Sequence, residues 1–180
     1  YCEGVAVSIN KRSEDRSEPF CKYFGICGGC RWQKLKYCEQ LRWKRQTVVD
    51  ALRRIGKIDL PEILPIIGSG NTKEFRNKLE FGFSNKRWLT KEEIAEDKVY
   101  DNMNAVGFHV PGAFDKIIDI DYCGLMDDWQ NKVRNEVRKY AFDNNLTFFN
   151  IRQHEGLLRN MMLRKTTVGE TMILMQFHYT

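Results

Sequence analysis

Cys21-Lys22-Tyr23-Phe24-Gly25-Ile26-Cys27-Gly28-Gly29-Cys30 is the stretch on which the reading of this chain turns. Its C-x5-C-x2-C spacing puts three thiols within one short loop, close enough to converge on one small object. Such a set points to an iron–sulfur cluster or a metal ion, with a distant cysteine completing four ligands. The Gly28-Gly29 pair fits that reading, because backbone without Cβ atoms can press close to a cluster and aim N–H groups at sulfur.

Zinc is the nearest rival. Structural zinc sites usually come as two C-x2–4-C pairs, whereas here one pair is joined by a lone upstream cysteine, so the spacing favours a [4Fe–4S] cluster. The fourth ligand stays open between Cys38 and Cys123. Cys38 is near in sequence but falls on the apolar stripe of a helix, where a core cysteine is the ordinary reading. Cys123 stands at a strand end before a helix, and Cys2 reads as incidental. Six cysteines could instead form disulfides in an exported chain. Without a signal-peptide pattern, a thiolate site in a reducing cytoplasm is the expectation. No apolar run approaches the roughly 20 residues that span a bilayer. The chain begins with Tyr1 rather than methionine and is read as a piece of a longer protein.

The formal net charge is +5, and its distribution says more than its size. Residues 31–57 carry Arg31, Lys34, Lys36, Arg42, Lys44, Arg45, Arg53, Arg54 and Lys57 against only Glu39 and Asp50. Residues 91–101 are acidic instead. Segregated charge suits a protein with one face for a polyanion.

The periodicities predict an α+β fold, an antiparallel β-sheet with flanking helices and the cysteine loop. Residues 4–10 read as a strand and 11–20 as a linker. Residues 33–56 read as a helix with Leu35, Cys38, Leu41, Val48, Leu52 and Ile55 on its apolar stripe and Arg45 wet. Strands are expected over 72–84, 105–110, 116–120 and 146–151, a second helix over 124–144, and a hairpin from 157–165 and 170–177. The acidic stretch 90–101 reads as a surface excursion with a short helix.

Arg76 and Lys78 alternate with Phe75, Leu79, Phe81 and Phe83, a mixture suited to RNA through phosphate contacts and base stacking. Arg159 and Arg164 sit similarly in the hairpin, and Arg31 and Lys34 open the basic tract. A solvated basic face is the commoner meaning of such compositions. His109, His154 and His178 are scattered and read as structural. No G-x-G-x-x-G unit, Ser/His/Asp arrangement or H-E-x-x-H occurs, so this stretch carries no recognisable catalytic apparatus.

Taken in order, the charged linker, Cys21-x5-Cys27-Gly-Gly-Cys30-x2-Gln33, the basic helix, FRNKLEF, VGFHVPG with Cys123-Gly-Leu, and GLLRNMMLRKTTVGE form a pattern. It resembles the RNA (uracil-5-)-methyltransferase family, in its iron–sulfur branch acting on 23S ribosomal RNA. The resemblance implies three parts: an N-terminal TRAM domain of OB-like type, a central iron–sulfur domain, and a Rossmann-like methyltransferase domain. Residues 1–12 resemble the end of the TRAM domain and 13–180 the central domain, with 33–64 expected to pack on the absent methyltransferase domain. Part of the 35–55 stripe is accordingly expected to be exposed, or covered by another copy of the chain. The resemblance places Cys21, Cys27, Cys30 and Cys123 on the family's cluster ligands, in preference to Cys38. The S-adenosylmethionine site, the nucleophilic cysteine that adds to uracil C6 and the base that removes the C5 proton would all lie outside this chain. The expected partners are 23S ribosomal RNA and the missing methyltransferase domain, with no membrane. The reading from a different class is a zinc-stabilised interaction module with no RNA role.

Overall fold

The first helix, α1, runs Tyr37–Asp50 and continues as one π-helical turn over Ala51–Ile55. It starts four residues later than the sequence suggested. Leu35 N–H bonds Trp32 C=O in a preceding turn (3.0 Å), and Lys36 holds an extended backbone. The computed structural model describes residue 4 and residues 7–179. These fall into two units, Tyr1–Phe20 with Arg31–Gly70, and Cys21–Cys30 with Asn71–Thr180.

In the smaller unit the sheltered face of α1 carries Tyr37, Leu41, Arg45, Val49 and Leu52. The expected stripe was therefore out of phase at its C-terminal end: Val48 is 50% and Ile55 84% exposed, and Cys38 is exposed rather than core. Arg45 is not the wet position. Its Nε donates to the carbonyls of Ile63 (3.0 Å) and Leu64 (3.2 Å), while Tyr37 Oη accepts from Ser69 N–H (2.7 Å). Residues 63–69 have no ladder of their own, so helix side chains supply the partners their backbone needs. The strand expected over 4–10 lies partly outside the described residues, and the described ones among them form no strand.

In the larger unit, Leu79, Phe81 and Phe83 alternate with Glu80 and Gly82, and this period of two makes β1 of Lys78–Ser84. The strand does not begin at Thr72, and Phe75 is exposed. Residues 74–76 donate to a loop instead: Glu74 N–H to Gly124 C=O (3.0 Å) and Arg76 N–H to Leu125 C=O (2.8 Å). With β2 (Ala105–Val110), β3 (Ala113–Asp119), β4 (Leu158–Lys165) and β5 (Thr171–Phe177), β1 forms an antiparallel sheet of order β3-β2-β1-β4-β5. Between β1 and β2 a short helix, α2 (Lys91–Ala95), is started by a Thr90–Glu93 capping box.

The register Leu79↔Leu163 and Phe81↔Met161 puts four large apolar side chains on one face. The helix α3, Asp128–Asp143, contributes Val133, Val137, Ala141 and Phe142 to the same core. Its start is set by Asp127, whose carboxylate caps Gln130 N–H (2.9 Å), which leaves 124–127 as a turn rather than helix. Residues 146–151 make only isolated bridges, Phe148↔Leu158 and Asn150↔Glu155. The buried Asn150 side chain accepts from Arg152 N–H (3.0 Å) and Gln153 N–H (3.3 Å), and the chain turns there instead of extending.

The sheet closes tightest where Gly82 faces Gly107. A Cβ on Gly107 would stand 2.0 Å from the carbonyl oxygen of Ile118, which is backbone and cannot swing aside. Gly107→Ala is expected to cost about 1–3 kcal/mol or more by forcing β2 and β3 apart. Chemical denaturation should show a lower midpoint with an unchanged slope.

Candidate functional site

The cysteine loop is a succession of tight turns. Phe24 N–H bonds Cys21 C=O (3.0 Å), and Ile26 and Cys27 N–H groups both reach Tyr23 C=O (3.1 and 2.9 Å). Gly28 tucks under the β2–β3 turn, where a Cβ would meet Pro111 Cγ at 3.1 Å. Tyr23, Ile26 and Cys27 pack on the hydrophobic core. Gly29 N–H points at Cys27 Sγ (3.4 Å).

Asp121 joins this loop to the turn that follows β3. Its carboxylate takes Lys22 Nζ (2.6 Å) and Tyr23 Oη (2.8 Å), and its own N–H returns to Tyr23 Oη (3.1 Å). Two residues on, Cys123 is buried and held by α3. Its N–H donates to Asn131 Oδ1 (2.8 Å), and its carbonyl accepts from Asn131 Nδ2 (3.2 Å). The sequence reading did not include Asp121 or Asn131, which bring residues 21–30 and 123 into one neighbourhood.

The thiols of that neighbourhood act on one another. Burial pushes Cys27 up, Gly29 N–H pulls it down, and negative charge on Cys123, Cys30 and Cys21 pushes it up again. Burial likewise raises Cys123, against the N–H groups of Leu125 and Met126, with Cys21 and Cys30 adding to the rise. Ionised together these thiols would repel one another, so burial and mutual charge favour the protonated form of Cys27 and Cys123. Among the described residues no disulfide joins Cys21, Cys27, Cys30, Cys38 or Cys123. Among the described residues no group of three or more His, Cys, Asp or Glu side chains is gathered as a single metal ion requires. Cys38 belongs to the smaller unit.

The six basic candidates divide between the units. Lys78 and Arg164 are direct cross-strand partners on the exposed face of β1 and β4. Like charges so paired destabilise a sheet unless an anion lies over them. Arg76 is exposed beside them in sequence. Arg159 lies over the Phe149 ring (4.9 Å), which also meets His178 (5.1 Å). Arg31 and Lys34 line a cavity of about 440 Å³ in the smaller unit, together with Arg16, Asp15, Trp32 and Trp43. The tryptophans were missed; their signal was two indoles set among arginines, at Arg31-Trp32 and Arg42-Trp43. At the sheet edge β5 exposes Met172, Ile173, Leu174 and Phe177.

No family model matches this chain. Curated proteins described as uncharacterized RNA methyltransferases are similar along nearly its whole length. One from Bacteroides thetaiotaomicron is 55% identical over 174 residues, covering 97% of this chain and 38% of the relative. Another from Porphyromonas gingivalis is 44% identical, covering 98% of this chain and 39% of the relative. A third from Chlorobaculum tepidum is 39% identical, covering 97% and 36%. The chain thus spans less than two fifths of the length of these relatives. The solved Pyrococcus abyssi tRNA (uracil-54, C5)-methyltransferase, in complex with S-adenosyl-L-homocysteine, matches with a TM-score of 0.62 at 24% identity, covering 96% of this chain and 35% of that one. That likeness speaks for the fold. Among the described residues no helix is long and apolar enough to cross a membrane.

Burial raises the Asp121 carboxyl, but the Lys22 and Tyr23 hydrogen bonds outweigh it and hold the group below the usual 3.8. A depressed carboxylate stabilises the fold above its unfolded value and loses that contribution as pH falls through its folded one. Cys27 should therefore stay shielded from dithiodipyridine at neutral pH and become labelled only as pH falls well below 3.8, before far-UV circular dichroism changes. Asp121→Asn should label readily at every pH and abolish that step.

Proposed function

We propose that this chain is the central, [4Fe–4S]-carrying and RNA-contacting part of an S-adenosylmethionine-dependent RNA (uracil-5-)-methyltransferase acting on 23S ribosomal RNA. The chain itself is not catalytic. Methyl transfer and the S-adenosylmethionine site belong to the remainder of a longer protein, and residues 33–64 pack against it. Exposed Val48 on α1 and Ile55 on the π-helical turn support that packing, as does the separation of residues 31–70, with Tyr1–Phe20, from the larger unit.

One observation carries the reading. Asp121 and Asn131 bring a C-x5-C-x2-C loop and a cysteine 93 residues further on into mutual electrostatic reach. The residues present fit a cluster: four thiols, Gly29 N–H on Cys27 Sγ, and Leu125 and Met126 N–H groups toward Cys123. Cys21, Cys27, Cys30 and Cys123 would hold it. When bound it would supply positive charge that keeps the thiolates ionised and locks the loop to the turn. Zinc, with bonds of about 2.3 Å, would need its sulfurs about 3.8 Å apart. The zinc-stabilised interaction module remains the competing reading, and the metal assay separates the two.

Anaerobic preparations should contain near four irons and four acid-labile sulfides per chain, and Cys123→Ser should lose both. One zinc with no sulfide from iron-replete cells would establish the competing reading.

For RNA, the Lys78↔Arg164 pair is the strongest support in the larger unit. Each phosphate contact on a single strand contributes about −0.7 to the slope of log K against log salt. The double variant Lys78→Ala/Arg164→Ala should bind a single-stranded 23S fragment more weakly, with a slope shallower by about 1.4. The fold likeness to the Pyrococcus abyssi tRNA (uracil-54, C5)-methyltransferase makes tRNA the second RNA to try. Tighter binding of tRNA than of the 23S fragment at equal salt would move the substrate to tRNA.

A further inference from the structure

The cavity of the smaller unit is lined by Trp32, Trp43, Arg16, Arg31, Lys34 and Asp15, among others, and measures about 440 Å³. Its walls are fixed by backbone rather than by chance side-chain positions. Arg16 bridges Leu35, Ser17 N–H bonds Lys34 C=O (3.1 Å), and Lys36 N–H bonds Asp15 C=O (2.8 Å). Gln40 on α1 donates to Trp32 C=O (3.2 Å) and Leu35 C=O (2.9 Å), which ties the 32–35 turn to the helix. The segment 13–17 is thus held against the turn and α1, and a preformed cleft lies between them.

Its chemistry is specific. Two large indoles, Trp32 at 40% and Trp43 at 46% exposure, stay open to solvent in one cleft. The guanidinium of Arg42 already covers one face of Trp43 (4.7 Å). Arg16 and Arg31 form no ion pair among the described residues. Asp15, the acidic member, accepts a hydrogen bond from Ser13 (3.3 Å) and leaves acceptor capacity over. Flat π-surfaces, unpaired cations and one carboxylate match three features of a nucleotide: a base to stack, a phosphate to neutralise, and base N–H or sugar O–H groups that donate to a carboxylate. The volume lies within the range of about 300–1,000 Å³ that small-ligand sites occupy.

We propose that this cleft is a nucleotide subsite for single-stranded RNA. One unstacked base lies on Trp43 and Trp32, and its phosphates meet Arg16 and Arg31. A duplex would not fit the chemistry, because its base faces are already stacked and its edges paired. The proposal rests on the RNA reading above and adds a residue-level address within the smaller unit.

The test uses this chain, a fluorescein-labelled mixed-sequence hexaribonucleotide and its duplex, followed by anisotropy across a salt series. The single strand should bind in preference to the duplex and quench tryptophan emission. Trp43→Ala should weaken single-strand binding about 5- to 150-fold with the salt slope unchanged, because stacking releases no counterions. Trp43→Phe should restore most of the loss. Arg16→Gln/Arg31→Gln should instead make the slope shallower by about 1.4. Photocrosslinking of a 4-thiouridine hexamer should place the adduct on Trp32 or Trp43. Binding retained within twofold in Trp43→Ala, with adducts elsewhere, would overturn the cleft and leave the RNA reading standing. No binding of either probe at low salt would overturn the RNA reading and the cleft with it.

Discussion

A fully buried guanidinium organises the larger unit. Arg134 on α3 donates to the carbonyls of Ile120 and Val106, bonds Asn135, and lies 6.0 Å over the ring of Phe81. Burial pulls it below its ordinary value, and the nearby charge of Asp119 holds it ionised. Asp119 is in turn forked by Arg138 and takes Val106 N–H (3.0 Å). Where β2 and β3 end, Ile120 N–H reaches Val106 C=O (3.3 Å), and Arg134 on α3 adds a donor to Val106 C=O and supplies one to Ile120 C=O. A buried carbonyl left without one costs about 1–3 kcal/mol. Helix and sheet are thereby held in one registration.

Everything near the cysteines inherits that registration. Asn131, one turn before Arg134 on α3, grips both backbone groups of Cys123. Asp121, next to the Ile120 carbonyl that Arg134 takes, grips Lys22 and Tyr23. Residues 74–76 close the other side by donating to Gly124 and Leu125. The turn over 121–126 is short and irregular, yet it is held from three directions. That is how a loop segment can present a buried thiol with directed N–H groups around it.

How much of this was legible depended on the range of the interaction. Alternation in Leu79-Glu80-Phe81-Gly82-Phe83 declared a strand, and its face and pairing followed. Phe75 broke the pattern because backbone donors at 74 and 76 had partners elsewhere, which periodicity does not register. In α1 the apolar residues Val48 and Val49 offered two phases for one stripe. A polar residue, Arg45, decided between them by serving the carbonyl of Ile63. The cysteine motif was plain in the sequence, whereas Asp121 and Asn131 were not. Their partners lie 98 and 8 residues away and involve common polar side chains whose pairing leaves no local mark. The tryptophan cleft was hidden for the same reason, since 15–17 and 33–36 meet through backbone bonds and a Ser17 Oγ bond to Gln33 C=O (3.0 Å) that leave no local mark.

The tie between Tyr23 and Asp121 has a consequence for biosynthesis. A ribosome adding about 5–20 residues per second needs roughly 5–20 s to travel from one partner to the other. Throughout that interval the nascent loop has its three thiols and its local turns but no buttress. Asn131 and Arg134 emerge later still, so Cys123 is seated only when α3 has left the exit tunnel and docked. Quality control in the cell thus meets this protein with its three-thiol loop made early and buttressed late. Slower translation upstream of residue 121 would prolong the exposure, and thiol-protecting factors acting on the nascent chain would shorten its effect.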